Sequence, residues 1–208
     1  MTAYLVPTGM GAATVVEKRS EFIGQVWPAE SEEEARALIE LTKKKYHDAR
    51  HNCWCYLIRD GAVRYSDDGE PQGTAGQPML SVFQTAGLTN VCCVVTRYFG
   101  GVLLGAGGLV RMYTQAAADA LAAAGISQVR RWVETAVECP YSFFERVKNL
   151  TEALGGAVGE VEYAAGVTVH ALLPEEQAAP FAAQITELSA GSFAAVELGE
   201  SFRAVPVK

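Results

Sequence analysis

The run Val91-Cys92-Cys93-Val94-Val95 constrains the chain more than any other stretch. It is short, continuous and β-branched, without the polar alternation of a half-exposed strand. Such a run suits a strand covered on both faces, with helices above and below it. A Gly-rich segment follows, and then an Ala-rich stretch, Leu109 to Ala124, that reads as a long helix ended by Gly125. Upstream, Thr14 to Trp27 reads as two short strands about a polar turn at Glu17 to Glu21. Ser31 opens a helix, with Glu34 three residues on as a capping box. Glu32 to Glu34 at its start and Lys43 to Lys45 at its end complement the helix dipole. Asn52 to Ile58 and Ala62 to Tyr65 form a hairpin about Asp60-Gly61. Thr74 or Pro78 starts a further helix through Met79, Val82 and Phe83.

Beyond about residue 128 the pattern changes. Strands at Trp132–Cys139, Val158–Tyr163, Val167–Leu173 and Phe193–Val205 alternate with helices at Tyr141–Leu154 and Pro174–Leu188. This βαββαβ order is that of a ferredoxin-like domain. Charge shifts at the same place, from a net −1 over residues 1–130 to −6 over residues 131–208. The expected class is therefore α+β in two domains, 1–128 and 129–208.

With 208 residues and a net charge of −7, the chain does not favour non-specific nucleic-acid binding, so any such contact has to use a local patch. No apolar run approaches the roughly 20 residues of a membrane span, and Met1 to Gly11 lacks the features of a signal peptide. A cytosolic protein is expected. The five cysteines form no Cys-x-x-Cys pair and suit neither zinc nor a disulfide framework. Cys53 and Cys55 read as small core residues on one side of a strand.

Two segments carry possible chemistry. Gly100, Gly101, Gly105, Gly107 and Gly108 precede the Ala-rich helix, where bare backbone and free first-turn amides attract anions. Arg111 is expected in that first turn and Arg97 at the end of the buried strand, both near the same anion. Asp67, Asp68 and Glu70 lie in the Gly-rich segment Ser66 to Gly76. They can serve as ion-pair partners for Arg97 and Arg111, or as ligands of a divalent ion, although their spacing matches no standard metal loop. The glycines complete neither a P-loop nor a dinucleotide fingerprint. His47, Arg50 and His51 are accessory candidates, and His170 stands alone in a strand of the second domain. No nucleophile with a base is evident, so no catalytic residue, metal or cofactor is assigned.

Three strings carry a resemblance: KKKYHDARHNCWCYLI (43–58), SDDGEPQGTAGQPML (66–80) and VVTRYFGGVLLGAGGLVRMY (94–113). In composition, order and spacing they resemble the YigZ/IMPACT family, over roughly residues 14–125. Val102 and Leu103 depart from it, standing where the family's pattern has Ile and Lys, which removes one cation from the loop. The resemblance implies a first domain like the second domain of ribosomal protein S5, and a second like the last domain of elongation factor G. It also implies a role linked to translation, since eukaryotic IMPACT regulates the kinase that senses amino-acid starvation. The expected function is therefore binding, with RNA, the ribosome or a translation factor as partner, and with no membrane association or DNA specificity. The alternative is an enzyme acting on a phosphorylated or other anionic small molecule in the same pocket.

Overall fold

The computed structural model describes residues 3–207. They form two compact units, one of Tyr4–Val129 with the residues from Ala204 onward, the other of Arg130–Arg203 with Ala3.

The first unit is built on a five-stranded antiparallel sheet. Its strands are β2 (Gly11–Glu17), β3 (Ser20–Pro28), β4 (His51–Leu57), β5 (Val63–Ser66) and β6 (Val91–Tyr98), in the spatial order β2-β3-β6-β4-β5. A further strand, β1 (Tyr4–Pro7), pairs antiparallel with Ile126–Val129. The strand β6 is central and buried from Val91 to Arg97. Cys93 and Val95 face a core shared with α2 (Gly76–Thr85) and α3 (Gly105–Ala124), among Met79, Phe83, Tyr113 and Ala117. Cys92 and Val94 face the opposite core with Ala35 and Ile39 of α1 (Glu32–Lys45). Helices therefore cover both faces, as a run without polar alternation demands.

Local signals place these elements. The Ser31 side chain accepts from the Glu34 amide at 3.1 Å, and Glu34 Oε2 accepts from the Glu30 amide at 2.8 Å, so the start of α1 is capped from both sides. Small residues on α3 set its height above the sheet. A methyl group on Gly24 would lie 2.2 Å from the Ala116 carbonyl oxygen, and one on Gly11 2.2 Å from the Ala124 amide. The Ala-rich face of α3 thus rests on the bare backbone of β2 and β3.

In the second unit, β7 (Ile126–Cys139) pairs through residues 132–139 with β9 (Val167–Pro174), and β9 pairs with β8 (Ala157–Tyr163), all antiparallel. The last strand, β10 (Ala195–Pro206), lies beside β7. The order β10-β7-β9-β8 is that of a ferredoxin-like sheet. A 3₁₀ turn, Tyr141–Phe143, leads into α4 (Phe144–Ala153), and α5 (Glu175–Leu188) follows β9. Val147, Phe181 and Ile185 from these helices pack on Val137, Val169 and Leu173 of the strands. The α+β class and the βαββαβ order agree with the sequence reading. All five cysteines are unpaired and buried. Among the described residues, no helix is long and apolar enough to cross a membrane.

Candidate functional site

The acidic segment after β5 folds back on the sheet because its aspartates collect backbone amides. Asp67 Oδ1 accepts from the amides of Ala75 (3.0 Å) and Gly76 (2.8 Å), and Oδ2 from that of Gly73 (2.8 Å). No side chain of the residue flanking α2 caps it, so Asp67 performs this task from nine positions upstream. Asp68 Oδ2 accepts from the Asn52 amide at 2.7 Å, and its Oδ1 lies 3.7 Å from Lys43 Nζ. These bonds close the loop and turn Glu70 inward.

Glu70 is buried. Its Oε1 accepts from Arg97 Nη1 at 2.5 Å and from the Tyr113 hydroxyl at 2.8 Å. The Cys53 thiol lies 3.3 Å from the same hydroxyl and 3.0 Å from the Asp67 carbonyl oxygen. Burial is the main cause that pushes the Cys53 thiol and the Tyr113 phenol well above their ordinary values. Both therefore stay protonated around Glu70. His51, opposite Arg97 in the β4–β6 register, donates from Nδ1 to the Asp68 carbonyl oxygen at 2.7 Å. A carbonyl only accepts, so the proton sits on Nδ1, and Nε2 lies 3.9 Å from Glu70 Oε2.

Arg97 is only 5% exposed. Its guanidinium lies 5.3 Å from the Phe22 ring and 5.6 Å from the Phe99 ring, and Arg50 lies 5.4 Å from Phe99. One nitrogen serves Glu70, while Nε is buried with no hydrogen-bond partner. Arg97 lines a cavity of about 390 Å³, together with Arg50, His51 and Glu70 on its polar side and with Phe99, Leu103, Leu104 and Leu109 on its apolar side. Gly105 and Ala106, the first residues of α3, complete the wall. No side chain caps this helix start. The cavity thus brings together two arginines, a histidine and an uncapped helix end, against one carboxylate already engaged.

Several expectations change. The helix begins at Gly105, so Gly105, Gly107 and Gly108 lie inside it rather than in a loop before it. Arg111 consequently falls in the second turn. It is exposed, meets Glu17 at 3.0 Å, and does not line the cavity with Arg97. Of the three acidic residues only Glu70 meets Arg97, and none meets Arg111. Asp67 and Asp68 are occupied by amides, and among the described residues no acidic, His or Cys group is arranged to hold a metal. Gly100 is explained by packing, since a methyl group there would lie 2.1 Å from the Arg19 backbone. Gly101 and Gly105 adopt φ of +85° and +71°, whereas Gly107 has open space and no such demand. His47 is exposed and does not join the cavity. Tyr113, Phe22 and Phe99 escaped the sequence reading. For Tyr113 the available signal was a hydroxyl on the core face of an Ala-rich helix, which requires a buried partner.

Known proteins resemble the chain along its length. Residues 18–121 match the family model described as the Impact N-terminal domain, and residues 137–192 match one described as a domain of unknown function, DUF1949. The IMPACT family member YigZ of Escherichia coli (strain K12) is 34% identical over 206 residues, covering 96% of this chain and 100% of the relative. The IMPACT family member YvyE of Bacillus subtilis (strain 168) is 33% identical over 191 residues, covering 91% and 88%. A solved structure described as the crystal structure of an hypothetical protein aligns with a TM-score of 0.60 and 31% identity, over 96% of this chain and 98% of that one.

Proposed function

We propose that this chain, which belongs to the IMPACT family, is a translation-linked binding protein that docks RNA through the cavity between β6 and the start of α3. The translation link rests on the family resemblance, and the site rests on geometry. One observation carries the site: a buried arginine, Arg97, with an unsatisfied Nε beside an uncapped helix end. A cation at the positive end of a helix is reconciled by an anion, and a phosphate oxygen is the anion that RNA supplies. Exposed Arg50 adds a second cation to the cavity wall and stacks near Phe99. A basic group beside an exposed aromatic ring suits single-stranded RNA. The carboxylates that an enzyme would need as base or metal ligand are engaged, Asp67 and Asp68 by amides and Glu70 by Arg97 and Tyr113. This favours binding over catalysis.

Ala106→Asp tests the site. Ala106 is exposed in the first turn of α3, where a carboxylate stabilises the helix by about 0.3–1 kcal/mol. The same charge occupies the place of the incoming phosphate. The expected outcome is equal or higher stability with at least about tenfold weaker RNA or ribosome association. Unchanged co-sedimentation with ribosomes and unchanged RNA affinity would exclude this cavity.

A further inference from the structure

We infer that the cavity selects a terminal phosphate, a phosphomonoester at the end of an RNA strand, over the phosphodiesters within it; the inference rests on the reading of this cavity as the RNA-docking site. Depth is the first argument. Arg97 lies against Phe22 and Phe99 at 5% exposure, so the part of its guanidinium that lines the cavity is reached only by a group that projects inward. An internal phosphodiester is tethered through two ester oxygens, and both chain directions have to leave through the mouth. Such a strand meets exposed Arg50 and Phe99 at the rim and leaves Arg97 untouched. A terminal phosphate has a single tether and three free oxygens.

Charge is the second argument. Glu70 already occupies one edge of the Arg97 guanidinium. What remains is the rest of that guanidinium, the Arg50 side chain and the α3 end, the last equivalent to roughly half a positive charge. A phosphomonoester carries about −1.5 to −2 at neutral pH, against −1 for a diester, so it gains more from the same donors. The third argument is the wall opposite. Phe99 and Leu103 are exposed at the mouth, Leu103 at 83%, and Leu104 and Leu109 line the interior. These apolar surfaces accept the sugar and the terminal base, while a cavity of about 390 Å³ has room for one such end and not for a folded strand.

The test is a titration of the full chain with short oligoribonucleotides of one sequence, carrying a 5′-phosphate, a 3′-phosphate or hydroxyls at both ends. The expected result is about tenfold or greater preference for one phosphorylated form, abolished by Ala106→Asp. Equal affinity for all three strands, still weakened by Ala106→Asp, overturns the terminal-phosphate assignment and leaves the docking site standing. Equal affinity that Ala106→Asp does not alter, or no RNA binding at all, overturns both. Competition by adenosine monophosphate at the strand's own affinity would show a small phosphorylated molecule to be the guest, and so would overturn RNA as the source.

Discussion

Glu70 is the residue on which the site turns, since Arg97, Tyr113 and His51 all approach its carboxylate. Arg97 therefore has two tasks, holding Glu70 and lining the cavity with the rest of its guanidinium. Arg97→Ala is expected to destabilise the first unit by about 3–5 kcal/mol, because it strands a buried charge. Binding lost in that variant would say nothing about the site. A double-mutant cycle separates the tasks: Arg97→Met combined with Glu70→Gln should be less destabilising than the two single changes added, by about 1–3 kcal/mol in urea unfolding. Additive effects would contradict the pair. Both residues were legible in the sequence, and an internal pairing between the acidic segment and Arg97 was one of its two readings. Which carboxylate makes the contact was not legible. Asp67, Asp68 and Glu70 are alike as charges, and only the chain reversal that brings the amides of Gly73, Ala75 and Gly76 to Asp67 distinguishes them.

At the scale of elements, β6 and α3 show what local pattern reveals and what it misses. The apolar core of β6 announced itself, and Arg97 stands near the end of that strand as expected, with β3 and β4 pairing on both sides as far as Arg97 and β3 alone at Tyr98. Ladder bonds extend a strand past the end of its apolar signal. In α3 the local pattern misleads. Glycine disfavours helix by about 1 kcal/mol relative to alanine, so the segment before Leu109 read as loop, yet the helix runs back to Gly105. That difference moves Arg111 out of the first turn and away from Arg97. The loop between β5 and α2 depends on one carboxylate with three amide partners. Asp67→Ala is expected to remove about 2–3 kcal/mol of stability and to weaken RNA binding by freeing the segment that carries Glu70. Wild-type stability and affinity in this variant would show that the loop is held by something else.

For the molecule as a whole, the buried titratable groups are unevenly divided. Burial raises the thiols of Cys53, Cys92 and Cys93 and the phenol of Tyr113 in the first unit, against the single thiol of Cys139 in the second. In the unfolded chain a thiol loses its proton near about pH 8.5 and a phenol near about pH 10. Above those values the unfolded state binds fewer protons than the folded one, so stability falls as pH rises. It is complete below about pH 8.5 and declines by up to about 1.4 kcal/mol per pH unit for each such group. The first unit should therefore lose stability more steeply than the second between pH 8 and pH 10.5, roughly the span of those model values. Trp27 and Trp54 report on one unit and Trp132 on the other, and identical slopes would contradict the assignment. The seating of α3 has a mechanical consequence. At Ala116, Ala120 and Ala124 the backbone of α3 lies directly against Gly11 and Gly24, so along that half no side chain separates helix from sheet. Its trailing half is held like a bracket bolted to a plate, so a methyl group added at Gly24 has to lift the helix bodily off the sheet.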